Sequence, residues 1–150
     1  MKLAKALKLK NKKVSEYNST VEKMANSNTI EKDSKKHYNS KELSVLAESQ
    51  MQNLIQLKTA IHNTSAPIRE KIFRIGELKS YLGYINRLNT TEGVVKQSYR
   101  GADSTPFVYV VDFSEAEKVA KAKEIQDQIE ALQEELDSFN ATTNLKGYTE

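Results

Sequence analysis

Few side chains in this sequence combine a reactive type with a useful spacing. The only histidines are His37 and His62. His37 follows Asp33 by four positions, which on a helix would place imidazole and carboxylate on one face as metal ligands. The surrounding stretch, Asn26 to Ser40, is polar and aperiodic, so a solvated loop is the expected setting. His62 closes a helical stripe beside Asn63, where an imidazolium can meet exposed carbonyls and the negative end of the helix dipole. Glu124, Asp127, Glu130, Glu134, Glu135 and Asp137 crowd the segment 124–145, which contains no Lys or Arg. They lie away from the apolar seam of that segment, and the Glu-x-x-His pairs of a di-metal carboxylate bundle are missing. No phosphate-cradling glycine loop, nucleophile-elbow serine or His-Glu-x-x-His zinc motif occurs. There is no cysteine, which excludes disulfides, thiol nucleophiles and thiolate metal sites together. The expectation is a non-enzyme, with no catalytic residue, cofactor or metal.

The elements that would position these groups follow from composition and period. The chain has 150 residues, 38% apolar and 29% charged, with only 5 Gly and 2 Pro. Few turn-makers mean few turns, so a single, mainly α domain over 1–150 is expected. The net charge of +3 is unevenly placed. Lys2, Lys5, Lys8, Lys10, Lys12 and Lys13 open the chain without an acid among the first thirteen residues, and the six carboxylates of 124–145 sit near its end.

Leu3, Leu7, Val14, Tyr17, Val21 and Met24 recur at heptad-like spacing and predict a helix over about 2–25. Asn26 to Ser40 then reads as a mobile loop. Ser40 is the expected N-cap of a second helix over about 41–63, with Leu43, Ala47, Leu54, Leu57 and Ile61 as its stripe. Val45, Met51 and Ile55 lie off that stripe, which suggests burial on two sides and makes these three candidate oligomer contacts. Pro67 suits the first turn of a third helix running to about Leu88, with the seam Ile68, Ile72, Ile75, Leu78, Leu82 and Ile85. The rival is one continuous helix kinked at Pro67.

Val94–Tyr99 and Phe107–Val111 are β-branched and aromatic around a seven-residue link, the pattern of a two-stranded ribbon. An isolated ribbon is marginal in water, so it must pack on helices or pair with another chain. Val108 and Val110 join the candidate oligomer contacts on that ground. Ser114 with Glu117 has capping-box spacing and starts a last helix over about 115–140. Its seam is Ala122, Ile125, Ile129, Leu132, Leu136 and Phe139, and an irregular tail is expected over 141–150. Four helices with short links predict an antiparallel four-helix bundle or coiled-coil-like hairpins, which would lay the amino-terminal lysines against the late acidic block.

No secretory signal and no stretch of 18 apolar residues is present, so a cytoplasmic chain without a transmembrane segment is expected. The leading functional expectation is an interaction or scaffolding protein that forms a homo-oligomer, with a further protein partner open. The alternative is a nucleic-acid or anionic-membrane module using the basic faces of the first and third helices, with Lys5, Lys8, Lys12, Arg69 and Arg74 as its candidate anion or partner contacts. Residues 14–150 carry 17 basic and 20 acidic side chains, which argues against nucleic acid.

Four separated segments resemble one group of small helical bacterial proteins. Met1-Lys2-Leu3-Ala4-Lys5-Ala6-Leu7 resembles an MKLAEAL start, and Ile61-His62-Asn63-Thr64 an I-N-x-T-N turn. Phe107 to Phe113 resembles a strand leading into a last helix, and Asn140-Ala141-Thr142-Thr143-Asn144-Leu145 an N-W-T-T-E-L ending. These are the septicolysin-like proteins. Here Lys5 stands where an acid is usual and Ala141 where Trp is usual, the link around Pro67 is shorter, and arginines are few. The resemblance implies an α-helical, oligomeric fold with a small β element and no established activity, and its cytolysin-like name makes pore formation a third reading. It singles out Asn63, Thr64, Asn140, Thr142 and Thr143, whose expected role is capping helix ends.

Overall fold

The computed structural model describes residues 1–95 and 106–149. It is mainly helical: α1 spans Leu3–Asn26, α2 Ser40–Thr64, α3 Arg69–Asn86 and α4 Glu115–Thr142. Two short strands, β1 at Gly93–Val95 and β2 at Phe107–Tyr109, form the sheet. The chain divides into two compact units, Met1–Arg69 with Leu136–Glu150, and Glu70–Glu135.

In the first unit α1 and α2 run antiparallel. The Ser40 hydroxyl donates to the Met24 carbonyl (2.9 Å) at one end of the pair. Halfway along, Lys13 and Glu16 border the same small hollow as Ser49, Gln50 and Asn53. Leu3, Ala6, Ala47, Leu54, Leu57, Ala60 and Ile68 are buried. Removing a leucine such as Leu57 from water contributes about 1.5–3 kcal/mol. The expected α1 stripe is realised asymmetrically: Leu3 is buried, whereas Leu7, Val14, Tyr17, Val21 and Met24 are half-buried. Thr20 takes an inward place instead, its hydroxyl donating to the Glu16 carbonyl one turn back (3.0 Å). That local bond satisfies a polar group on an otherwise apolar face.

Asn39, not Ser40, caps α2. Its side-chain oxygen accepts from the Lys41 N–H (3.0 Å) and its amide donates to Glu42 (3.2 Å). Ser40 is already helical and uses its hydroxyl on α1, so one residue is shifted inward by a tertiary bond. Pro67 begins a new element, not a kink in a continuous helix. It sits in a 3-10 turn, Ala66–Ile68, that leads into α3, and α3 ends at Asn86 before reaching Leu88. The Ser65 hydroxyl donates to the Ile61 carbonyl (2.7 Å), closing α2 where the expected caps Asn63 and Thr64 do not.

In the second unit α3 and α4 form another antiparallel pair. Lys71 pairs with Glu135 near one end, and Lys118 Nζ donates to the Leu88 carbonyl (3.0 Å) near the other. Thr90 and Glu115 are hydrogen-bonded beyond it. Ile75, Ile85, Ile125 and Ile129 are buried, while Leu78, Leu82, Ala122 and Leu132 are half-buried. Ile72 corrects the expected seam, because it is exposed. The capping box forms as its spacing predicts. Ser114 N–H and hydroxyl both donate to Glu117 (2.9 Å each), and the Glu117 N–H donates back to the hydroxyl (3.2 Å).

The ribbon is antiparallel, with Gly93 opposite Tyr109, Val94 opposite Val108 and Val95 opposite Phe107. Gly93 enters it at φ +89°, a conformation that disfavours any side chain. β1 is described from Gly93 to Val95, and β2 ends at Tyr109, before Val110. The expected strand residues 96–99 lie outside the described residues.

Candidate functional site

The tail over 143–149 forms no helix or strand, as expected of an irregular segment, yet it is pinned by long-range hydrogen bonds. α4 continues to Thr142, and Lys2 then pairs with Asn144 in an antiparallel bridge. The Leu3 N–H donates to the Thr143 carbonyl (2.8 Å), and the Leu145 N–H donates to the Met1 carbonyl (2.9 Å). Lys2 Nζ reaches the Thr142 carbonyl (2.6 Å), a cation on the negative end of α4. The Lys146 N–H then donates to the Thr64 hydroxyl (3.1 Å). Gly147 adopts φ +76° and turns the chain so that the Tyr148 hydroxyl donates to Asn53 (2.9 Å). The first residues, the end of α2 and residues 142–148 are thereby joined into one clasp.

Three segments far apart in the sequence, at residues 1–3, 64 and 142–148, therefore meet at one place. Of the polar residues expected as caps, Thr142 bonds carbonyls at the end of α4, and the others are placed differently. Thr64 is buried and accepts from the tail. Thr142 donates its hydroxyl to the Ser138 carbonyl (2.8 Å), and Thr143 acts through its backbone. Asn63 is exposed and Asn140 half-buried. Asn53, Gly147 and Tyr148 were missed because their partners are distant in sequence and no local period marks them.

The His62 ring meets Arg69, not a helix-end carbonyl. Arg69 donates to the His62 carbonyl (2.9 Å) and lies 3.1 Å from its Nε2. Arginine has no acceptor, so Nε2 must accept in that contact. The helix-end cation is Arg69, and this occupies one of the five candidate anion contacts. Lys5, Lys8 and Lys12 are all exposed on one face of α1, with Lys12 3.7 Å from Glu16. Arg74 is exposed on α3. Asp33 and His37 lie in the loop between α1 and α2, and no group of three or more potential metal-ligating side chains occurs among the described residues.

The acids of α4 find partners other than the amino-terminal lysines at three positions. Glu124 pairs with Lys121 (2.9 Å), Asp127 with Lys123 (2.7 Å) and Glu135 with Lys71. The hydrogen-bonded Glu124 raises the Lys121 pKa, and Asp127 does the same for Lys123. The backbone and hydroxyl of Ser114 lower the Glu117 pKa. All of these serve helix geometry, and none couples to a nucleophile or a second general acid or base.

Exposed apolar side chains occur on the ribbon and again on α2 and α3. Val94 and Val108, directly opposite each other, are 62% and 68% exposed, and Val110 beyond them is 88% exposed. Phe107 and Tyr109 on the other face are also exposed, though less so for Tyr109. Of the α2 candidates, Val45 and Ile55 are exposed and Met51 is half-buried. α3 adds Phe73 and Tyr84, eleven residues apart and hence on one face, which the seam pattern alone did not flag. No helix among the described residues is long and apolar enough to cross a membrane. Comparison with protein-family models, curated proteins and solved structures gives no match to this chain.

Proposed function

We propose that this chain is a non-enzymatic helical scaffolding protein that self-associates through its β-ribbon, in line with its resemblance to the septicolysin-like proteins. The observation that carries this is the open valine face of Val94, Val108 and Val110. A two-stranded ribbon has too little buried surface to hold its own conformation, and its edge groups can extend the sheet with another strand. β2 has no charged side chain between Pro106 and Val111, so nothing in the strand repels a second copy. A partner ribbon would cover the valines and satisfy the edge in one step. Val45 and Ile55 on α2 offer a second, smaller apolar surface, and the two antiparallel pairs supply the elements of a four-helix bundle.

Sedimentation velocity on the full chain across a micromolar concentration series tests the proposal. Association that weakens by about tenfold or more in a Val108→Lys, Val110→Lys variant supports it, which corresponds to about 1.4 kcal/mol or more. A second reading, an anionic macromolecular or membrane partner, draws on the exposed lysine face of α1. It requires binding that falls steeply with salt, and the same association experiment in high salt separates it from an apolar contact.

A further inference from the structure

The loop between α1 and α2 borders an open hollow of about 500 Å³ lined by Asn26, Ser27, Thr29, Ile30, Lys35, Lys36, His37 and Tyr38. Its chemistry is one-sided. Two adjacent lysines and a histidine stand with an amide, two aliphatic hydroxyls and a phenol, and no carboxylate contributes to the lining. The acids of the same loop, Glu31 and Asp33, lie outside it. A bound anion can accept from the two lysine ammonium groups and from the hydroxyl and amide donors of the lining.

The walls are held by bonds that do not depend on a ligand. Ser27 N–H donates to the Lys23 carbonyl (3.0 Å), and Lys23 Nζ lies 5.8 Å from the centre of the Tyr38 ring. Ser34 N–H donates to the Glu31 carbonyl (3.0 Å) in the turn between. Asn39 caps α2 immediately after the lining segment, and Ser40 ties that helix to α1. The loop therefore leaves one helix and enters the next at fixed points, presenting Lys35 to Tyr38 as a continuous strip.

We propose that this hollow binds the phosphate monoester group of a small organic molecule. Lys35, Lys36 and His37 meet the phosphate oxygens, and Ser27 and Thr29 donate to those that remain. The volume lies within the range of about 300–1,000 Å³ usual for small-molecule sites and exceeds what a bare ion needs. Ile30 and the Tyr38 ring give the organic portion an apolar surface. This assignment is independent of the ribbon and uses none of its residues.

The test is a titration of the full chain with inorganic phosphate and with phenyl phosphate, followed by backbone amide shifts of the residues around Lys35–Tyr38. Both should give saturable shifts confined to the loop, with phenyl phosphate the tighter. A Lys35→Gln, Lys36→Gln variant should weaken phenyl phosphate by about tenfold or more, since two charge-assisted hydrogen bonds are lost. A Lys58→Gln, Lys146→Gln variant, at exposed positions away from the loop, changes the net charge equally and should bind as the parent does. Pelleting with phosphatidylcholine vesicles containing phosphatidic acid identifies the source: loss of pelleting in the loop variant assigns the phosphate to a lipid, and phenyl phosphate binding without pelleting assigns it to a soluble ester. Absence of saturable shifts with either phosphate together with no pelleting, or equal weakening in the Lys58, Lys146 control, overturns the site.

Discussion

The hydroxyl of Thr64, the last residue of α2, accepts a hydrogen bond from the Lys146 N–H at 3.1 Å across 82 positions of sequence. Thr64 is buried, so the bond is not exchanged freely with water. Thr64→Val keeps the shape and removes the acceptor, leaving the Lys146 N–H without it. The expected loss is about 1–3 kcal/mol by urea unfolding, and Thr64→Ser should recover most of it.

Gly147 supports the same clasp from the backbone. At φ +76° a side chain is strained, so Gly147→Ala should cost about 1 kcal/mol and expose the Tyr148 ring. Tyrosine fluorescence together with denaturation reads both effects.

The capping box gives a pH signature. Ser114 holds the Glu117 pKa below its unfolded value. This contribution is present above the ordinary carboxylate pKa and is lost as pH falls through the lowered, folded-state value. Ser114→Ala should cost about 1 kcal/mol at neutral pH, and its deficit relative to the parent should narrow on acidification. Melting curves at neutral pH and in acid check the direction.

Much of this architecture is legible in the residues. Ser114 and Glu117 lie one turn apart and satisfy each other locally, so their spacing suffices to find them. Pro67 lacks an N–H and must break the preceding helix, which fixes the start of a new element. Val94 and Val108 announce strands through their branching at Cβ. The clasp is different in kind. Met1, Leu3, Thr143 and Leu145 use backbone groups that every residue type carries, so their side chains leave no pattern. Ser40 misleads for a related reason, because its hydroxyl is taken by Met24 on another helix and Asn39 caps in its place. The late acids mislead too: spacings of three and four residues let Glu124 and Asp127 pair with Lys121 and Lys123 on their own helix, without calling on the amino-terminal lysines.

Core and ribbon should separate in experiment. Ile125→Ala removes a fully buried side chain of α4 and should destabilise by about 2–5 kcal/mol. Val108→Ala, at an exposed position, should change the stability of the isolated chain by no more than about 0.5 kcal/mol while weakening any self-association.

The most direct measurement is sedimentation velocity of the parent chain beside the Val108→Lys, Val110→Lys variant, with far-ultraviolet circular dichroism verifying that both are folded. Association through the ribbon predicts concentration-dependent self-association of the parent, insensitive to high salt, and a shift toward monomer in the variant. A parent that sediments as a monomer throughout the micromolar range, or a folded variant that associates as strongly as the parent, would contradict it.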